Sequence, residues 1–140
     1  MKGWIYMYTK KKLLAALLAS ALAAGLLPTS ACAASDYTTA NATLVTLTDS
    51  SATAKGKYTG YEIDGTDVSI TAAGTYVFSG DCDNGSITVK KGVTGVTIVL
   101  NGLTLTNDDS APITLNKTAE ASLIAAAGTT NTVADTEGSN

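Results

Sequence analysis

The 140-residue sequence predicts an all-β protein, a solenoid of stacked, three-sided β-coils behind a short apolar leader. Two observations carry this. From Tyr61 onward, short runs of Val, Ile, Leu and Thr alternate with period two and are punctuated by Gly and Asp/Asn, the mark of strands and turns. The same strings also recur along the chain. VSITAAGTYVFSG (68–80) aligns without gaps on VTIVLNGLTLTND (96–108), an offset of 28 residues that places Val68 over Val96, Ile70 over Ile98 and Gly74 over Gly102. A further shift of 26 carries the columns to Ile124, Ala126 and Gly128. Independently, SITVKK (86–91) aligns on PITLNK (112–117) at an offset of 26, with Ile87 over Ile113 and Val89 over Leu115; Tyr61 and Ile63 lie 26 residues before Ile87 and Val89.

In chain order, residues 1–34 read as a signal helix. Lys10-Lys11-Lys12 precede an apolar run from Leu13 to Leu27, and Pro28 and small residues follow, the order of a secretory signal peptide. The run is shorter than the ~20 residues a membrane-spanning helix needs. Small residues around Cys32 fit ordinary cleavage near Ala34; the other reading makes Cys32 a lipidated anchor, although Thr29 stands where lipoprotein signals usually carry Leu. The expected location is therefore secreted and extracellular, with a lipoprotein as the alternative. Residues 35–60 read as a spacer or N-terminal cap, with a loose strand around Leu44, Val45 and Leu47 and a polar loop over Ala52–Gly60. Residues 61–140 form the coils, and Ala119–Ala127 belongs to them as a strand. Each coil holds a strand, a Gly corner, a second strand, a polar turn and a third strand, stacked ~4.8 Å from the next. Glycine at positions 74, 102 and 128 supplies backbone angles that a Cβ penalises. A two-sheet sandwich is the alternative, but it does not explain a register kept across several columns. With fewer than three coils and no capping element before Asn140, the chain reads as the N-terminal coils of a longer solenoid.

Charge and cysteine content narrow the function classes. Four of the nine lysines lie in the leader, so the remainder holds five lysines against twelve acids, a net charge of −7 that repels nucleic acid and anionic lipid. Such a surface suits neutral glycans, or acidic glycans bridged by a cation. Cys82 is the one cysteine beyond the leader, which leaves no internal disulfide and reads as a small, partly buried residue. The chain has no His and no Arg, which excludes a Ser-His-Asp or Cys-His arrangement and predicts a non-enzyme.

Two acidic turns qualify by composition for calcium, which wants several hard oxygen ligands. They are Asp81, Asp83 and Asn84, and Asn107, Asp108 and Asp109. At an offset of 28 Asp81 lies above Asp109, and stacked acidic turns repel unless a cation or water separates them. The plainer reading is that Asp, Asn and Gly are turn formers.

From Ile63 to Asp135 the sequence resembles a family of secreted bacterial carbohydrate-binding proteins with a right-handed parallel β-helix fold. The matching pieces are IDGTDVSITAAGTYVFSG (63–80), GSITVKK (85–91), GVTIVLNGLTLTN (95–107) and SAPITLNKTAEASLIAAAGTTNTVAD (110–135). The resemblance implies binding of plant cell-wall polysaccharide such as cellulose or pectin-type polygalacturonate, calcium sites, and kinship with pectate-lyase β-helices. Members usually continue through further coils. Ala125-Ala126-Ala127 departs from the bulkier strand usual there and predicts an underfilled last coil. The alternatives are a structural or adhesive cell-surface solenoid, and a fragment of a pectate-lyase-like enzyme.

Glycan sites combine aromatic faces with polar groups on a flat sheet. Tyr76 and Phe78 share one face of their strand, opposite Val77, and are expected outside if Val77 points inward; the competing expectation is cover by residues 37–60. Lys90 and Lys91 are the only adjacent basic pair beyond the leader, and Lys91 stacks over Lys117, giving one basic column. A solvated strand edge is the plainer reading of these lysines.

Overall fold

The computed structural model describes residues 38–136, so the predicted leader, with Cys32, lies outside the described residues. After a 3-10 turn at Thr39–Asn41 come ten strands: β1 (Thr43–Leu47), β2 (Ala52–Gly56), β3 (Tyr61–Asp64), β4 (Asp67–Ile70), β5 (Gly74–Cys82), β6 (Ser86–Val89), β7 (Val96–Asn107), β8 (Ile113–Leu115), β9 (Ala121–Ala125) and β10 (Thr132–Asp135). The described chain is all-β. Each strand is a short Val/Ile/Leu/Thr run that a Gly or Asp/Asn turn ends.

Two mixed sheets enclose the core. One runs β10-β7-β5-β1-β2, with β9 also on β7; the other runs β3-β4-β6-β8. All pairings are parallel except β1 with β2 and β3 with β4. Three successive stretches of chain therefore lie in layers. The first is β4 and β5, the second β6 and β7, and the third β8, β9 and β10. In β7 the first half pairs with β9 and the second half with β10, the bend falling at Gly102. Inward side chains from both sheets form one core, with Val45, Leu47, Val68, Ile70, Tyr76, Phe78, Cys82, Ile87, Val89, Ile98, Leu103 and Leu105 almost fully buried.

The register confirms one predicted column set and corrects the others. Ile87 pairs with Ile113 and Val89 with Leu115, as the offset of 26 requires. Val68, however, pairs with Ile87 and not with Val96, and Tyr76, not Ile70, lies beside Ile98. Gly74 pairs with Val96, so it is no counterpart of Gly102. The reason is link length. Residues 71–73 join β4 to β5, whereas 90–95 join β6 to β7, so successive layers have different periods. Ile124 pairs with Val99, one place from its predicted column, and a one-residue slip turns a side chain to the opposite face. Ile124 accordingly joins Val77, Val99, Ala42 and Ala126 in a second apolar cluster outside the main core.

Two predictions for the first part of the chain also change. The expected polar loop over 52–60 contains β2, antiparallel to β1. Tyr61–Asp64 does not continue the coil columns upstream of β6; it folds back on β4 through a hairpin at Gly65-Thr66. Gly65 takes a φ of +65°, the conformation that two-residue hairpin turns demand at this position.

Candidate functional site

The sugar-contact aromatics of the sequence reading lie inside. Tyr76 and Phe78 are both 0 % exposed, because Val77 points away from the core and its two neighbours point into it. The expectation of an exposed aromatic pair is therefore corrected. Segment 37–60 contributes to the cover: the Tyr58 ring lies 6.1 Å from that of Tyr76. The Tyr76 hydroxyl donates to the carbonyls of Gly60 and Ala72, both at 3.0 Å. Burial raises the Tyr76 pKa above the ordinary tyrosine value, and Tyr58 and Tyr61 push in the same direction. Neither ring presents a free face to a sugar.

The calcium residues are not brought together. Asp81 pairs with Thr104, not Asp109. Asn107 is buried, and its side chain is spent on the turn: Oδ1 accepts from the backbone N–H groups of Asp109 and Ser110 at 2.8 Å, while Nδ2 donates to the Gly85 carbonyl at 2.8 Å. Asp83, Asp108 and Asp109 are exposed. The Asp83 N–H donates to Asp49 Oδ1, and its carbonyl accepts from Thr106 Oγ1. Among the described residues no three Asp, Glu or Cys side chains gather around a common point. Of this set, the Asn107 side chain acts as a turn former. Nearby Cys82 is fully buried, and desolvation raises its thiol pKa despite a backbone hydrogen bond from Asn84 that lowers it.

The lysines are exposed and close in register. Lys90 N–H donates to the Ile70 carbonyl and Asn116 N–H to the Val89 carbonyl, so the β4-β6-β8 ladder continues one residue past its strands. Gly92 N–H donates to the Lys117 carbonyl, which sets Lys91 beside Lys117 as predicted. This corner adjoins the outer face of the four-stranded sheet. On that face Ser69, Thr88 and Thr114 form one column, Asp67 and Ser86 a second, joined by a 2.8 Å hydrogen bond, and Thr71, Lys90 and Asn116 a third. Glu62 stands beside Ser69 at the β3 edge.

The sequence reading had missed most of this face. The outward positions of SITVKK and PITLNK were legible as alternation, but β4 enters only at a step of 19 residues, from Val68 to Ile87. Asn131 was also missed. Its Oδ1 accepts from the N–H groups of Gly102 and Leu103, both at 2.8 Å, and holds the bend of β7.

The layered sheets thus carry a polar outer face on the four-stranded side. A family profile described as carbohydrate-binding domain-containing protein matches residues 64–140. The chain belongs to that family. No curated protein and no solved structure matches it significantly. Among the described residues no helix is long and apolar enough to cross a membrane.

Proposed function

We propose that the protein is a secreted, non-catalytic module that binds polysaccharide of the plant cell-wall type, cellulose or pectin. The observation that carries this is the family match over residues 64–140. The three parallel layers support a finer reading of the fold: consecutive turns of a right-handed parallel β-helix, with β2 and β3 as its N-terminal cap. Strands stacked in this way give a rigid, flat outer surface, which suits an extended polymer. The lysine-rich and signal-like character of residues 1–34 supports export. A chain without His or Arg supports binding in place of turnover.

Pull-down on insoluble cellulose and on pectin gels tests the reading. The full chain is expected in the pellet with at least one of them, with and without chelator, and a chain that stays in the supernatant with both refutes it. Binding lost on chelation would restore calcium at the acidic turns. Absorbance from unsaturated products is expected to stay flat; a rise would make the protein a lyase.

A further inference from the structure

We infer that the turn joining β5 to β6 is a self-modification site. Asn84 converts spontaneously to a mixture of isoaspartate and aspartate, the Thr66 hydroxyl assists, and the fold directs the reaction to this position.

An asparagine followed by glycine can close on itself. The glycine backbone nitrogen loses its proton and attacks the side-chain carbonyl carbon of the asparagine, forming a C–N bond. The side-chain amide leaves as ammonia, and a five-membered succinimide remains. Water then opens the ring at either carbonyl. One opening gives aspartate. The other gives isoaspartate, in which the main chain runs through the side-chain carbon and is one atom longer. This chemistry makes asparagine thermolabile, and glycine favours it because no Cβ hinders the attack.

The chain has two such pairs, Asn84-Gly85 and Asn101-Gly102. The motif is the same at both, but the surroundings differ. Asn101-Gly102 lies inside β7, which is paired on both sides. Ring closure needs a backbone rotation there, and a doubly paired strand resists it. The Gly102 N–H, which would have to ionise, donates to Asn131 Oδ1 at 2.8 Å. Asn84 instead lies between strands and is exposed. The Gly85 N–H is 3.3 Å from the Thr106 carbonyl oxygen, beyond the ordinary N–H···O range. The Thr66 hydroxyl donates to the Asn84 carbonyl at 2.9 Å. That carbonyl and the Gly85 nitrogen share one peptide unit. When the nitrogen ionises, negative charge spreads to the carbonyl oxygen, where a donor is already aimed.

The product does not fit the turn. Gly85 is buried, and its carbonyl accepts from Asn107 Nδ2 at 2.8 Å. Even a Cβ on Gly85 would lie 2.7 Å from Cys82 Sγ and 2.8 Å from the Thr66 carbonyl oxygen. A main chain one atom longer cannot keep these contacts, and it carries a new carboxylate next to Asp83. Conversion therefore loosens the link between the first two layers.

The test is incubation of the full chain, folded and in urea, at neutral and mildly alkaline pH. Peptide mapping by mass spectrometry then reads deamidation and isoaspartate at each position. In the folded chain Asn84 is expected to convert, faster as pH rises, while Asn101 stays intact; in urea the two should convert at similar rates. Thr66→Val, with unchanged circular dichroism, is expected to convert at Asn84 about tenfold more slowly when folded. The isoaspartate-containing fraction is expected to melt below an Asn84→Asp variant, which adds the charge without the extra atom. A folded chain in which Asn84 stays intact while the chain in urea converts, or in which Asn101 keeps pace with Asn84, overturns the site. Undiminished conversion in Thr66→Val overturns the part given to Thr66, and equal melting overturns the loosening.

Discussion

At the end of the core nearer the N-terminus, β2 and β3 run against their neighbours and Tyr58 and Tyr61 pack over the apolar interior. Thr43, fully buried, ties this end together: its hydroxyl donates to the Tyr58 carbonyl and accepts from the Tyr58 N–H, both at 2.7 Å. Among the described residues β8, β9 and β10 at the other end each pair on one side only, as β2 and β3 do. Leu115 there is 43 % exposed, whereas its partner Val89 one layer in is fully buried. The inward-facing residues have similar chemistry at the two ends. What differs is the cover. Antiparallel strands with Tyr58 and Tyr61 cover the core at one end, whereas among the described residues the last layer at the other leaves Leu115 partly exposed.

Substitutions at the two ends should therefore differ most where packing is complete. Phe78→Ala removes a fully buried ring from the layer that touches the capped end, and is expected to cost about 4 kcal/mol in urea unfolding. A loss below about 1 kcal/mol would mean that this end is loosely packed. Next comes Gly80→Ala. Gly80 has a φ of +107°, and a Cβ there would strike the Leu47 carbonyl oxygen across the β1–β5 pairing. About 3 kcal/mol is expected, because strained backbone and a rigid neighbour act together. An unchanged melting temperature would show that β1 can move away from β5.

The same contrast explains what was legible in the sequence. Strands could be read where one face is apolar and the other polar, as in β6 and β8, and there the register was right. β5 is apolar on both faces, Tyr76 and Phe78 against Val77, so alternation could not say which face was the core. The alignment of 68–80 on 96–108 failed because β7 spans two sides of its layer in twelve residues. Apolar and Gly positions of such a strand match β4–β5 at more than one offset, and only three-dimensional pairing selects among them. For the acidic turns, composition named good ligands, but the bond from Asn107 Nδ2 to the Gly85 carbonyl joins positions distant in sequence, while its Oδ1 is taken by the local turn. The lysine corner was legible because it rests on the column pair with the correct period.

Tyr76→Phe probes the capped end more gently. It removes a hydroxyl shared between two carbonyls and is expected to cost about 1 kcal/mol at neutral pH. The pKa of Tyr76 is raised in the folded protein, so its contribution to stability is fully present below the unfolded tyrosine value of 10.0 and is lost as pH rises through the folded value. Cys82 follows the same sign from 9.0 upward. Thermal melts of the parent should fall on the alkaline side of neutrality, and Tyr76→Phe should flatten the steeper part of that fall. An equal slope in both proteins would place the alkaline loss elsewhere.

The smallest effect is expected at the open end, and it is the sharpest check on the comparison. Leu115→Ala removes more apolar volume than Val89→Ala, yet the two side chains sit side by side in one column. If cover decides, Val89→Ala costs about 2 kcal/mol and Leu115→Ala less than about 1 kcal/mol. The order of the two values matters more than their size, because both variants share the same strand neighbours and denatured-state changes are similar. A reversed order would mean that Leu115 is covered in solution. In that case the third layer would be closed as firmly as the first, and the asymmetry between the two ends would disappear.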